Sequence, residues 1–441
     1  MHQDRRGLDI TAASADAVAA FDKTIDSYLG IMPSAGPHLK ATFEADPDMP
    51  MAHVLKSYFF MLMGTAALQD RSQKAAAQAR GLAQTALPRE VLHISAAEHW
   101  SHGRKHAAIA TWEAILVENP LDVLALRLAH HGHFYEGDGQ NLRDTVNRRM
   151  HAWTPDTPGY GFVKGMQAFG YEETHAYDAA LRAGQEAVDA IPENPWAIHA
   201  VAHVHEMRDE PDAGIAWIKA NEPGWTIANN FRYHVLWHRM LMHLDRGEYK
   251  LVMNLYDTEL WDAESDEYLD LLNDASLLLR LELHGQDVGA QRWQALADKC
   301  RAHTTDQVLA FIDVHHAISL EAAEKDGAKA LLAAMQNYAE TNGEDNATVT
   351  GYVGLPLAHA VVAHRNGDYD KVVETLLPIR YEIYRIGGSH AQRDLFAMLL
   401  IDACLKCGRT NVARMLISER LGRLPANDWT KAQARAAGLS G

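Results

Sequence analysis

WEAILVENPLDVLAL (residues 112–126) and GQEAVDAIPENPWAIHA (184–200) decide the fold class. Each carries an amphipathic run, an Asn-Pro break and a new run with Ala and Leu at helical spacing. Proline needs no donor and has a pre-set φ at the first helical position, while the Asn before it stays extended. Each segment therefore reads as one helix ending and the next beginning. Gly247-Glu248-Tyr249 and Gly367-Asp368-Tyr369 mark the other corner of the hairpin, where glycine ends a helix and an acid suits the next N-terminus. The Asn-Pro pairs lie 75 residues apart and the Gly-acid-Tyr triplets 120 apart, close to two and three units of about forty. Apolar residues recur at three- and four-residue spacing along nearly the whole chain, and alternating Val/Ile/Thr runs are absent. The expectation is an all-α chain of about twenty helices, an α-solenoid of stacked antiparallel hairpins of tetratricopeptide-repeat type. A solenoid of this length has room to curl around a central pocket.

Breaks are expected near 88, 120, 155, 195, 224, 247, 286, 343, 367 and 388, with residues 1–50 as a helical lead-in and 51–441 as one repeat domain. The most apolar run, YFFMLMGTAAL (58–68), is too short to span a bilayer and reads as a buried core helix. Acids at positions 4, 9 and 16 interrupt any signal-peptide core, so the mature chain is expected to start near Met1. Three cysteines in 441 residues suit a reducing cytoplasm. Cys404 and Cys407 lie one turn apart on an apolar helix, with no second pair to complete a zinc site. A formal charge of -17 argues against nucleic-acid and anionic-membrane partners, which need a clustered basic surface. The partner classes left are a small molecule, a peptide or a second copy of the chain.

The blocks REVLHISAAEHWSHGRKHAAIATWEAIL (89–116), LALRLAHHGHFYEGDGQNLRD (124–144), NPWAIHAVAHVHEM (194–207), NNFRYHVLWHRMLMHLDRGEYKLVMNLYD (229–257), RIGGSHAQRDLF (385–396) and ARMLISERLGRLP (413–425) resemble the tetratricopeptide repeat protein 38 family. The resemblance covers residues 89 to 425 in the family's order and implies a helical-repeat fold. It implies no particular activity. Leu236 stands where the family carries an aromatic before Trp-His, and His175 where it carries a turn glycine.

Histidine is the chemical signature, with 25 in the chain. His199 and His203 are four apart, with Glu206 following, and His234 and His238 repeat the spacing on the next long helix. Residues at i and i+4 share a helix face. These five are the candidate catalytic set, and the four histidines are the candidate metal ligands, since imidazole pairs suit zinc or a redox metal. No complete motif demands a cofactor, and a divalent metal is the one the spacing admits. The plain alternative is hydrogen bonding between helices.

Further ligand-binding candidates are His130 and His133 on one face; Trp196, Tyr233 and Trp237 as aromatic walls; Asp313 with His316 as an acid beside imidazole; and Ser389 with Arg393 at a helix start. Ser389 reads most simply as an N-cap and Arg393 as an ion-pair partner. The acid-rich segment 259–274 has seven acids and reads as a solvated face, apart from Asp270 and Asp274 in its apolar half. Three functions remain open: a concave surface for a peptide or protein, a His/Trp/Glu-lined pocket for a small molecule with general acid-base chemistry, and the same pocket with a metal.

Overall fold

The computed structural model describes residues 2–439; Met1, Ser440 and Gly441, which the boundaries 1–50 and 51–441 include, lie outside the described residues. The chain is all-α from Ala15 to Ala436, preceded by a two-residue antiparallel pair, His2–Gln3 with Asp9–Ile10. Consecutive helices pack as hairpins: Pro50–Leu62 on Ala66–Gly81, Tyr160–Glu172 on Tyr177–Ala190, and Leu355–Arg365 on Tyr369–Ile379. Helices also touch the next but one, as Pro50–Leu62 does Pro88–Ser101, and Tyr268–Leu283 does Ala310–Ala323. That double neighbourhood is how an α-solenoid buries faces that no single hairpin can cover. The residues expected as a lead-in already form such a pair, Ala15–Leu29 on Ala35–Ala45.

The chain divides into two compact units, Met1–Val201 with Asn221–Arg232, and Ala202–Ala220 with Tyr233–Gly441. In the first, Tyr58, Ile94 and Trp112 are fully buried, each contributing roughly 1.5–3 kcal/mol. Tyr58, His93 and Trp112 pair their polar groups within this core. Trp112 Nε1 donates to Tyr58 Oη at 3.0 Å, and Tyr58 donates to the His93 carbonyl at 2.9 Å. In the second unit, helix Tyr268–Leu283 contacts helix His390–Lys406, and Leu271, Leu277, Leu281, Leu395 and Leu399 are buried. Among the described residues no helix is long and apolar enough to cross a membrane.

The turns follow local chemistry. Gly247 and Gly367 take φ of +70° and +77°, and His175 accepts the same left-handed turn at +61°. Helix Pro195–Met207 begins at its proline, where Asn194 Oδ1 accepts from the Ala197 amide at 3.1 Å. The other Asn-Pro pair behaves differently. Pro120 stays in the turn and the helix starts at Val123, because Asp122 accepts from the Ala125 amide at 2.9 Å and is the stronger cap. The apolar run 58–68 is likewise not one helix. It crosses a hairpin at Gly64, φ +63°, leaving Met63 53% exposed. Cys404 and Cys407 are free thiols on and just past helix His390–Lys406.

Close helix approach depends on missing side chains. A Cβ on Gly170 would sit 2.6 Å from the Arg143 Cα and 3.1 Å from the Leu142 carbonyl oxygen, backbone atoms that cannot swing away. Gly36 faces open space. Gly170→Ala should therefore destabilise the protein by roughly 1–3 kcal/mol despite the better helix former, whereas Gly36→Ala should be neutral or stabilising by up to about 1 kcal/mol. Urea unfolding of both variants checks this; equal effects would contradict the packing argument.

Candidate functional site

The second unit buries a chain of polar side chains carried by three helices. Helix Pro195–Met207 supplies His203 and Glu206, helix Phe231–Asp245 supplies His234 and His238, and helix Tyr268–Leu283 supplies Asn273. His203 and His238 have no exposed surface, and His234 and Asn273 almost none. One nitrogen from each of the three imidazoles lies within 4.8 Å of the other two. The rings of His203 and His238 stand 4.3 Å apart, and the indole of Trp237 stacks on His234 at 5.4 Å with a 12° tilt.

Hydrogen bonds order the chain. His238 Nδ1 meets Glu206 Oε2 at 2.7 Å, His238 Nε2 faces His234 Nε2 at 3.3 Å, and His234 Nδ1 meets Asn273 Oδ1 at 2.9 Å. An amide oxygen only accepts, so Nδ1 of His234 carries a proton and its Nε2 presents a lone pair. Two protonation patterns then satisfy the chain. With Glu206 protonated, the carboxyl donates to His238 Nδ1 and His238 Nε2–H donates to His234. With Glu206 ionised, it accepts from His238 Nδ1–H, and the gap between the two Nε2 atoms is filled either by a second proton on His238, making it imidazolium, or by a metal cation. Burial pushes Glu206 up to about 8, and the nearby Asp245 charge adds to this while Arg280 opposes it. Burial also holds His234 down near 4. The first pattern is therefore the neutral resting state near pH 7.

Glu206 also borders a cavity with about 30 Å³ of room for the centres of water-sized molecules, lined in addition by Asp245, Arg280, His284, Asp394 and Arg420. This is enough for about two waters. Arg420 holds Asp394 at 2.5 Å, Arg280 donates to the Ala391 carbonyl at 2.6 Å, and Asn427 donates to Asp245 at 3.0 Å. Burial raises Asp245 to about 6, with Arg420 and Arg280 opposing. One end of the relay thus reaches an ionic cavity with room for water, and the other ends on Asn273.

Four of the five expected convergent residues, His203, Glu206, His234 and His238, meet in this unit. His199 belongs to the first unit, where its ring packs on Trp196, Phe169 and Phe231 at 5.1–5.6 Å. His130 and His133 also lie in the first unit. His130 Nδ1 contacts the Leu142 carbonyl and burial holds its pKa well below the usual value, while His133 pairs with Glu113 at 3.2 Å. Trp196 carries Arg127 over its ring at 4.2 Å. Trp237 is at the site, whereas Tyr233 hydrogen-bonds Asp262 at 3.0 Å. Asp313 and His316 are buried on helix Ala310–Ala323, and burial raises Asp313 to about 8 and lowers His316 to about 3. Ser389 is an N-cap in a capping box with Gln392, and Arg393 donates to the Gly388 carbonyl. Asn273, Asp245, Arg280 and Arg420 were not singled out by the sequence. The one signal for Asn273 and Arg280 is a polar residue inside the apolar stretch LLNDASLLLRLEL. No profile of a known protein family matches the chain.

The Glu206 carboxyl makes a pH prediction. Its folded pKa, about 8, lies above its ordinary 4.5, so its contribution to stability is fully present below pH 4.5 and is lost as pH rises through 8. Asp245 acts in the same direction up to about pH 6. Glu206→Gln keeps the shape and cannot ionise. Between pH 5 and 8 the wild type should lose stability relative to this variant by up to about 1.4 kcal/mol per pH unit in urea unfolding. A pH-independent difference would contradict the buried protonated carboxyl.

Proposed function

We propose that the protein is a tetratricopeptide-type repeat protein whose buried His203–His234–His238 cluster takes up a divalent transition metal, with Glu206 and Asn273 orienting two of the ligands. The observation that carries this reading is the Nε2–Nε2 separation of 3.3 Å between His234 and His238. Two imidazole nitrogens at about 2.0–2.1 Å from a tetrahedral zinc stand about 3.3–3.4 Å apart. The outer nitrogens already face the Glu206 carboxyl and the Asn273 amide oxygen, groups of the kind that metal-bound histidines commonly have as partners. A divalent metal held there would lower the pKa of a bound water and polarise a substrate oxygen. His203, His234 and His238 would hold the ion through imidazole nitrogens. With a metal in place Glu206, ionised, would accept from His238 on one side while bordering the ionic cavity on the other, the position of a group that passes protons between site and water.

A second reading is favoured by the raised pKa of Glu206. Without a metal, the Glu206–His238–His234 chain is a neutral relay suited to general acid-base chemistry on a small molecule in the adjoining cavity. Burial of the imidazoles supports a small occupant over a peptide laid in a groove. Membership of the tetratricopeptide repeat protein 38 family is part of the proposal, supported by the blocks between residues 89 and 425. A cytoplasmic location is supported by the three free thiols.

The test is elemental analysis of protein purified without a histidine tag, followed by cobalt substitution. The expected result is about one metal per chain and the intense visible absorption of tetrahedral cobalt, both lost in His203→Ala and His238→Ala. Glu206→Gln, which leaves the fold space unchanged, should weaken metal affinity about 10–100-fold. Folded wild-type protein that takes up no stoichiometric metal would overturn the metal reading and leave the relay.

A further inference from the structure

A second cavity lies apart from the histidine cluster. It is a cleft of about 310 Å³ bounded by Arg380–Tyr381, the turn Ile383–Ile386, helix His390–Lys406 and helix Thr410–Arg423. Its floor is apolar, with Ile383, Phe396, Leu400 and Leu416 all under 10% exposed. Its charged lining is basic, with Arg380, Arg393, Arg420 and Arg423 against Asp394 and Glu419, four cations to two anions in a chain of net -17. The two carboxylates are already committed. Glu419 accepts from Arg380 at 2.8 and 3.1 Å, and Asp394 accepts from Arg420 at 2.5 and 3.2 Å. Arg380 is further fixed over the Tyr381 ring, 3.8 Å from its centroid. Arg423, exposed at the mouth, adds a guanidinium fork that matches carboxylate and phosphate oxygens. Tyr381 and Tyr384 stay 68% and 39% exposed at the rim, beside the apolar floor.

We propose that this cleft binds a small amphiphilic anion, a carboxylate or phosphate head on an alkyl or aryl body, with the head at Arg423 and the body on Phe396, Leu400 and Leu416. The separation of functions is geometric: a fixed cationic rim selects the head, and burial of a hydrocarbon body on the floor contributes apolar area. The volume lies at the lower end of small-ligand pockets, which excludes a folded partner or a long peptide. The cleft does not depend on the metal reading.

The probe is 8-anilinonaphthalene-1-sulfonate, titrated into the full chain and followed by fluorescence, with hexanoate and inorganic phosphate as competitors. The expected result is saturation at about one probe per chain, displacement by hexanoate and far weaker displacement by phosphate. Arg423→Glu should weaken binding about tenfold, whereas Arg71→Glu, the same charge change on an exposed helix of the first unit, should alter it less than about twofold. Leu416→Asp, at the floor, should abolish binding, and circular dichroism reports whether it folds. Non-saturable binding, equal losses in Arg423→Glu and Arg71→Glu, or displacement by phosphate as effective as by hexanoate would each overturn the proposal.

Discussion

Two imidazole nitrogens buried 3.3 Å apart cannot both present lone pairs to each other without a proton or a metal between them. The polar interior of the second unit is arranged around that constraint. Asn273 fixes the proton of His234, and Glu206 decides the proton of His238. Burial is the main influence holding the Glu206 carboxyl protonated, with the Asp245 and Asp394 charges adding to it and Arg280 opposing. Changing any one of these residues therefore shifts the state of the whole chain. An apolar core of the same volume would avoid the desolvation cost of several kcal/mol that such buried ionisable groups carry. Here they are instead buried together on three helices, the arrangement the proposed site would use.

The Asp394–Arg420 pair links the small ionic cavity and the basic cleft, since both residues border both spaces. Asp394 is also one of the charges that raise the pKa of Glu206.

The architecture was readable because its signals are local. Asn194-Pro195, Gly247 and Gly367 act within one turn of backbone, and the structure uses each as its chemistry dictates. His234 and His238 were readable for the same reason, their spacing fixing a shared helix face. Local reading failed where a competing residue or a distant partner decided the outcome. Asp122 displaced Pro120 as the start of a helix, and Gly64 turned one apolar run into two helices. Asn273 meets His234 across 39 residues of sequence, and Arg280 meets Ala391 across 111. A lone Asn or Arg on an apolar helix announces a buried partner without naming it.

In the proposed site the paired Nε2 atoms of His234 and His238, with His203, share one cation. Diffraction from crystals grown with zinc, recorded on both sides of the zinc absorption edge, tests it most directly. The account predicts a single strong anomalous peak about 2.0–2.1 Å from Nε2 of both His234 and His238, with a nitrogen of His203 completing the set. A map with no peak there, and continuous hydrogen-bonding geometry from Glu206 to Asn273 at full zinc concentration, would contradict it.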